Sequence, residues 1–136
     1  MPKPHFRFNT RSLSAGIRRE LMAQPERAKR AMNAVGGFIN SEAKDRAPIK
    51  EGFLTSDISN ETVKFEKSYA AVIYIPSNST SAPYAIKMHE SKYNPGVASE
   101  AKAAKTGKTV GNKFITRAID ANRDDITEII KYELRV

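Results

Sequence analysis

Few residues in this chain could carry chemistry, and the foremost pair is His89-Glu90. A histidine beside a carboxylate can serve as a general base. Catalysis also needs a nucleophile, an orienting group and a pocket, none of which the spacing supplies. His89 therefore reads as a surface or interface residue, and the other histidine, His5, falls in an opening arm. Cysteine is absent, which excludes disulfides, thiolate catalysis and cysteine zinc sites. No GxxxxGK, GxGxxG, HExxH or EF-hand pattern occurs. The expectation is a protein that is not an enzyme and takes no cofactor or metal.

The remaining chemistry is electrostatic. With 23 Lys and Arg against 15 Asp and Glu, the 136-residue chain carries a formal charge of +8, a field that favours polyanions or acidic protein surfaces. Lys92, Lys102, Lys105, Lys108, Lys113 and Arg117 outnumber Glu90 and Glu100 in one region. A mobile lysine loop can neutralise phosphates without reading sequence. No helix-turn-helix, zinc finger or aromatic RNA platform accompanies these residues, and lysine-rich loops are more often solvated surface. No apolar run approaches the roughly 20 residues of a membrane helix, and the start does not lead into a secretory core. A protein made in the cytoplasm, with no membrane partner, is expected.

The elements that must position these residues follow from periodicity. The length fits one domain, divided into an N-terminal arm over 1–9 and a domain over 10–136. Leu13, Ile17 and Leu21 share one face of a short helix, and Pro25 suits the first turn of a second. Ala28, Met32, Val35, Ile39 and Ala43 form its apolar stripe, which should stop near Ala47 because Pro48 pushes its predecessor out of the helical region. Gly36-Gly37 inside it costs about 1 kcal/mol per glycine, so close backbone approach to a sheet or subunit, or else a kink, should offset that. Gly52 allows the chain to reverse, and Leu54 and Ile58 are expected to open a strand. Thr62–Glu66 and Tyr69–Ile75 read as an antiparallel hairpin. Residues 76–83 read as a loop and Tyr84–Glu90 as a further short strand. Residues 91–112, with Pro95, Gly96, Gly107 and Gly111, read as a long basic loop. Phe114 to about Tyr132 reads as one amphipathic helix. The fold class is α+β: a small antiparallel sheet packed against two amphipathic helices. Val35, Ile39, Val72, Ile73, Ile115, Ile119 and Ile126 are the expected core. Val72 and Ile73 point to opposite sheet faces, so burial of both would imply a covering layer or subunit.

Several landmarks recur in one order: Ala43-Lys44 with Ala47-Pro48, then Gly52, Leu54 and Ser56 or Ser59, then Tyr84-Ala85 with Glu90, then Phe114-Ile115-Thr116-Arg117-Ala118. That ordered set, spanning roughly residues 13 to 130, resembles the small head–tail joining or tail-completion ("gp10-like") proteins of long-tailed bacteriophages. The chain departs from the pattern at Glu51, where Thr is common, at Thr55, where a basic residue is common, and after Glu90, which lacks a following Gly-Thr. No proline precedes Phe114.

The resemblance implies a structural virion protein that forms a homo-oligomeric ring at the head–tail junction, joining connector to tail tube. A tail-terminator ring at the head-proximal end of the tail is the first alternative, and a small basic nucleic-acid-binding module is the alternative from another class. Its partners would be copies of itself, connector or head-closure proteins and tail tube proteins, with non-specific contact to packaged DNA as a further expectation. The candidate subunit-interface or partner-contact residues are Pro48, Gly52, Leu54, Tyr84, Glu90, Lys92, Lys102, Lys105, Lys108 and Phe114. The arm and Lys92, Lys102, Lys105 and Lys108 are expected to become ordered only in the assembled particle.

Overall fold

A computed structural model of the chain describes residues 5–8, 13–49, 52–65, 67–93 and 96–136. Among these the architecture is α+β, with seven helices and one three-stranded antiparallel sheet. Residues 1–4 and 9 of the expected arm lie outside the described residues, as do Lys50, Glu51, Glu66 and Pro95.

The sheet is built on the hairpin of β2 (Ser59–Phe65) and β3 (Ser68–Tyr74), with β1 (His5–Phe8) on the other side of β3, giving the order β1-β3-β2. Registers place Phe6 opposite Ile73 and Arg7 opposite Val72 on one side, and Asn60 opposite Ile73 and Glu61 opposite Val72 on the other. Part of the expected arm is thus an edge strand. Its four residues alternate two phenylalanines with polar neighbours, and pairing to β3 satisfies backbone groups that a free arm would leave to water.

Helix α1 (Ala15–Ala23) starts at Ser14, whose hydroxyl accepts from the Ile17 amide at 3.3 Å. Gln24 ends α1 and precedes α2 (Pro25–Arg46), whose first turn holds Pro25. At 22 residues, α2 is about 33 Å long and organises the molecule. One side lies on β2 and β3, and α1, α6 (Phe114–Asp120) and α7 (Arg123–Leu134) pack on it as well. Ala28, Met32, Val35, Ile39 and Ala43 are all fully buried. Two helices across the sheet were expected; α2 lies on it, whereas α6 and α7 pack chiefly on α2 itself.

Gly36 accounts for that close packing. A Cβ at this position would come within 3.1 Å of Asn60 Nδ2 and 3.6 Å of Ala71 Cβ, whereas at Gly37 nothing lies within 4 Å. Close approach to the sheet, one of the two expected compensations, therefore applies to Gly36 alone.

Four further expectations are corrected. Leu54 lies in helix α3 (Phe53–Asp57) rather than in a strand, and Ile58 follows it as the C-cap. Gly52 adopts φ +82° and its carbonyl accepts from the Ser56 amide, which starts a helical turn. Tyr84–Glu90 belongs to helix α4 (Ala82–Glu90), with Pro83 in the first turn and Ala85 and His89 buried one turn apart. The loop over 91–112 contains helix α5 (Val97–Thr106), bounded by Gly96 at φ +90° and Gly107 at φ +69°. The last helix is broken at Ala121 and Asn122, because the Asn122 side-chain amide donates to Ala118 O at 2.8 Å while its carbonyl accepts from the Ile126 amide.

The expected core holds at Val35, Ile39, Ile73, Ile115 and Ile126, all in one buried cluster, each such side chain contributing about 1.5–3 kcal/mol. Ile119 is only partly buried against that cluster. Val72 and Ile73 are both buried, but no added subunit is needed to explain it. Val72 sits on the middle strand, flanked in register by the long side chains of Arg7 and Glu61.

Candidate functional site

The residues singled out in the sequence fall into two groups, with a few outside both. The first group surrounds the C-terminus of α2. A helix end leaves carbonyls without intrahelical partners and carries partial negative charge, and here cations and amides converge on it. The Lys102 ammonium donates to Ala47 O at 2.8 Å and also to Lys44 O. The Gly111 amide donates to Arg46 O at 3.0 Å. Lys108 Nζ bridges Glu42 (2.8 Å) and Asp45 (2.7 Å), and Arg46 pairs with Glu42 at 2.6 Å. Burial pushes the Glu42 carboxyl up, but hydrogen bonds from Lys108 and then Arg46 outweigh it and hold the group below its ordinary value. The bonds to Asp45 and Glu42 raise Lys108 against the cost of burial. Burial lowers Lys102.

Pro48 is buried within this junction, and the next residue's amide donates to Ser99 Oγ at 2.8 Å. Ser99 is the one buried residue of α5, so polar contacts rather than an apolar face fix that helix. Lys102 and Lys108 are therefore part of the chain's own fold and do not await an assembled particle to find partners. Lys92 and Lys105 are exposed.

The second group surrounds His89. Sequence reasoning expected a surface or interface residue, but within the chain His89 is only 2 % exposed. The reason is the helix: in α4 it follows Ala85 by four positions and shares its inward face. Its ring stacks at 4.2 Å between centroids against Phe6 of β1 and meets Phe114 of α6 edge-on at 4.9 Å. His89 Nδ1 lies 2.8 Å from Glu90 Oε1, and the other Glu90 oxygen pairs with Lys113 Nζ. Burial lowers the imidazole's affinity for a proton against the opposing pull of Glu90. The neutral ring then donates from Nδ1 to the carboxylate and leaves a lone pair on Nε2. Nε2 is buried and has no hydrogen-bond partner.

Lys113 completes this group at a local cost. Its backbone adopts φ +57°, where a side chain costs about 1–2 kcal/mol. In that conformation its amide donates to His89 O at 2.6 Å while its ammonium reaches Glu90, joining the end of α4 to the start of α6. A cavity of about 200 Å³ lies here, lined by Phe6, Ile75, Ala85, Ile86, His89, Glu90, Phe114 and Ile115.

Of the predicted contact residues, Glu90 and Phe114 meet at this cavity, and Tyr84 sits a turn and a half earlier on the same helix, partly buried against the core. Pro48, Lys102 and Lys108 meet at the α2 end. Gly52 and Leu54 serve α3 and touch neither group in the contacts described, Leu54 being 4 % exposed in the core. Sequence reasoning missed Phe6, Ser99 and Lys113 as partners. Alternation of Phe6 and Phe8 was the available signal for the first, and nothing local marks the other two.

The sheet has a second face, on which Ala70 and Val72 are buried. Arg7, Glu61, Val63, Phe65, Ala70, Val72 and Tyr74 alternate onto the face opposite α2, and the Arg7 guanidinium lies 4.3 Å from the Phe65 ring centroid. Among the described residues the helix that lies on the sheet is α2, and β1 and β2 are both edge strands. No group of three or more His, Asp or Glu able to hold a metal occurs among the described residues, and no helix there is long and apolar enough to cross a membrane.

The described residues define a small basic α+β chain with a three-stranded antiparallel sheet. No family model, curated protein or solved structure matches it.

Proposed function

We propose that this chain is a structural subunit of a tailed-bacteriophage virion, forming a ring at the head–tail junction and binding copies of itself, the connector side and the tail tube. The observation that carries the proposal is the ordered set of sequence landmarks, four of which fall at an element boundary or helix end. Ala47-Pro48 ends α2, Gly52 starts α3, Glu90 ends α4 and Phe114 starts α6. Such residues specify geometry, as a subunit whose activity is assembly requires. Among the described residues β1 and β2 are the outer strands of the sheet, and outer strands are templates for pairing with another chain, which supports the same reading.

The tail terminator is the finer alternative within this class. The nucleic-acid alternative loses part of its basis, because Lys102 and Lys108 are engaged by the α2 end and by Glu42 and Asp45. Peptide mass analysis of purified tail-bearing particles tests the proposal. The chain should be found in them in multiple copies. Its absence from particles, together with retention on DNA that weakens steeply with salt, would favour the nucleic-acid module.

A further inference from the structure

His89 is a titratable group enclosed by three elements of the fold. Phe6 of β1 lies against its ring at 4.2 Å between centroids, Phe114 of α6 meets it edge-on at 4.9 Å, and Ala85 is buried one turn back on its own helix. The charged groups that face it are Glu90, whose Oε1 is 2.8 Å from Nδ1, and Lys113 at the head of α6, which pairs with the other Glu90 oxygen. Nε2 is shut off from solvent and has no hydrogen-bond partner.

The neutral ring bears this at the cost of one unmatched acceptor. The protonated ring would hold an N–H with nothing to accept it and a charge between two phenylalanines, and both are costlier. Glu90 offsets the charge alone, and Lys113 works against that offset. A proton therefore reaches Nε2 only when one of the enclosing elements moves away.

How each element is held decides which one moves. Helix α6 buries Phe114, Ile115 and Ala118 and packs on α2, and the Lys113 amide donates to His89 O, which ties α4 to α6. β1 has four residues and pairs with β3; it buries Phe8, while Phe6 is only partly buried against the core. Short outer strands are drawn from the low-stability end of a fold.

We propose that β1 is an acid-released latch: protonation of His89 at Nε2 lifts Phe6 and its strand from β3 while the β2–β3 hairpin and the helices stay folded, baring the β3 backbone over residues 71–74. The inference stands independently of the virion assignment, because it uses only the packing around one imidazole. The rival sensor is His5, which lies in β1 itself.

Hydrogen exchange of the full chain, corrected for the intrinsic effect of pH on amides, tests the proposal. With an ordinary value of 6.5 for the freed imidazole, exchange of the protected β1 amides should rise by up to about tenfold from about pH 7.5 to about pH 5.5, a window in which Glu90 stays ionised. At each pH these amides should exchange faster than those of the hairpin and depend little on low urea, the mark of a local opening rather than unfolding. His89→Leu should abolish the rise and His5→Asn should keep it. Should His89→Leu not fold, Phe6→Ala gives the reciprocal measurement: with the covering ring removed, the His89 midpoint read from its ring resonances should move up toward 6.5, since coupling between opening and protonation runs both ways. The proposal is overturned by β1 amides that exchange no faster than the hairpin, by a rise that survives in His89→Leu or vanishes in His5→Asn, or by a His89 midpoint that Phe6→Ala leaves in place.

Discussion

Replacing each of the adjacent glycines of α2 separately should give opposite results, although their sequence contexts are nearly the same. At Gly37, which is exposed and has nothing within 4 Å of the place a Cβ would occupy, alanine removes backbone freedom from the unfolded chain and should stabilise by about 0.8–1 kcal/mol. For a domain of this size that is a rise of about 3–5 °C in Tm. At Gly36 the same gain meets a contact of 3.1 Å to Asn60 Nδ2. Asn60 cannot simply rotate away, because its Oδ1 accepts from Asn40 Nδ2 at 2.7 Å. Losing that bond costs about 0.5–1.5 kcal/mol, so Gly36→Ala should be neutral or slightly destabilising. Gly36→Leu must insert its side chain between helix and sheet and should cost about 3 kcal/mol or more. Thermal and urea unfolding of the three variants measures the order Gly37→Ala above native, native at or above Gly36→Ala, and Gly36→Leu far below. A tolerated Gly36→Leu would refute the close approach of α2 to β2 and β3. A destabilising Gly37→Ala would refute the open environment assigned to Gly37.

Other expectations follow from the same contacts. Ile126→Ala should cost about 2–5 kcal/mol and Ile119→Ala distinctly less, read by urea unfolding, because the first is fully buried and the second only partly. Lys102→Met should speed hydrogen exchange in α5 and at the end of α2 while leaving the exchange of β3 unchanged, since it removes a cation from the carbonyls of Lys44 and Ala47. The Glu42 carboxyl, held below its ordinary 4.5, contributes stability that is present above that value and lost as pH falls through its lower folded value, and α5 should loosen in that window. His89 titrates below its ordinary 6.5 in the folded chain, so the unfolded chain binds the proton first and stability should decline as pH falls below about 6.5. His89→Leu should flatten that part of a Tm-against-pH curve.

Legibility in the sequence tracks how local the determining contacts are. Helix α2 can be read because Pro25 and Ala47-Pro48 bound a five-residue apolar stripe, and the β2–β3 hairpin because its alternation and β-branched residues agree. Tyr84–Glu90 misleads because seven residues can alternate by chance, while Pro83, a first-turn residue in the structure, is the stronger signal. Helix α5 hides behind its lysines. Its alanines at 98, 101, 103 and 104 favour helix, and its flanking glycines, which resemble loop breaks, are its caps. The cavity is illegible for a different reason. His89 acquires its burial from Phe6 and Phe114, residues far away in the chain that meet it only when β1 joins the sheet and α6 packs on α2.

The proposal that this chain is a ring subunit of a phage neck or tail is tested most directly by a density map of tail-bearing particles purified from the source of the chain. The expected result is a ring at the head–tail junction or at the head-proximal end of the tail into which this fold fits, α2 lying against its sheet and copies repeated around the particle axis. A complete map in which every ring at those positions is accounted for by other chains would contradict it.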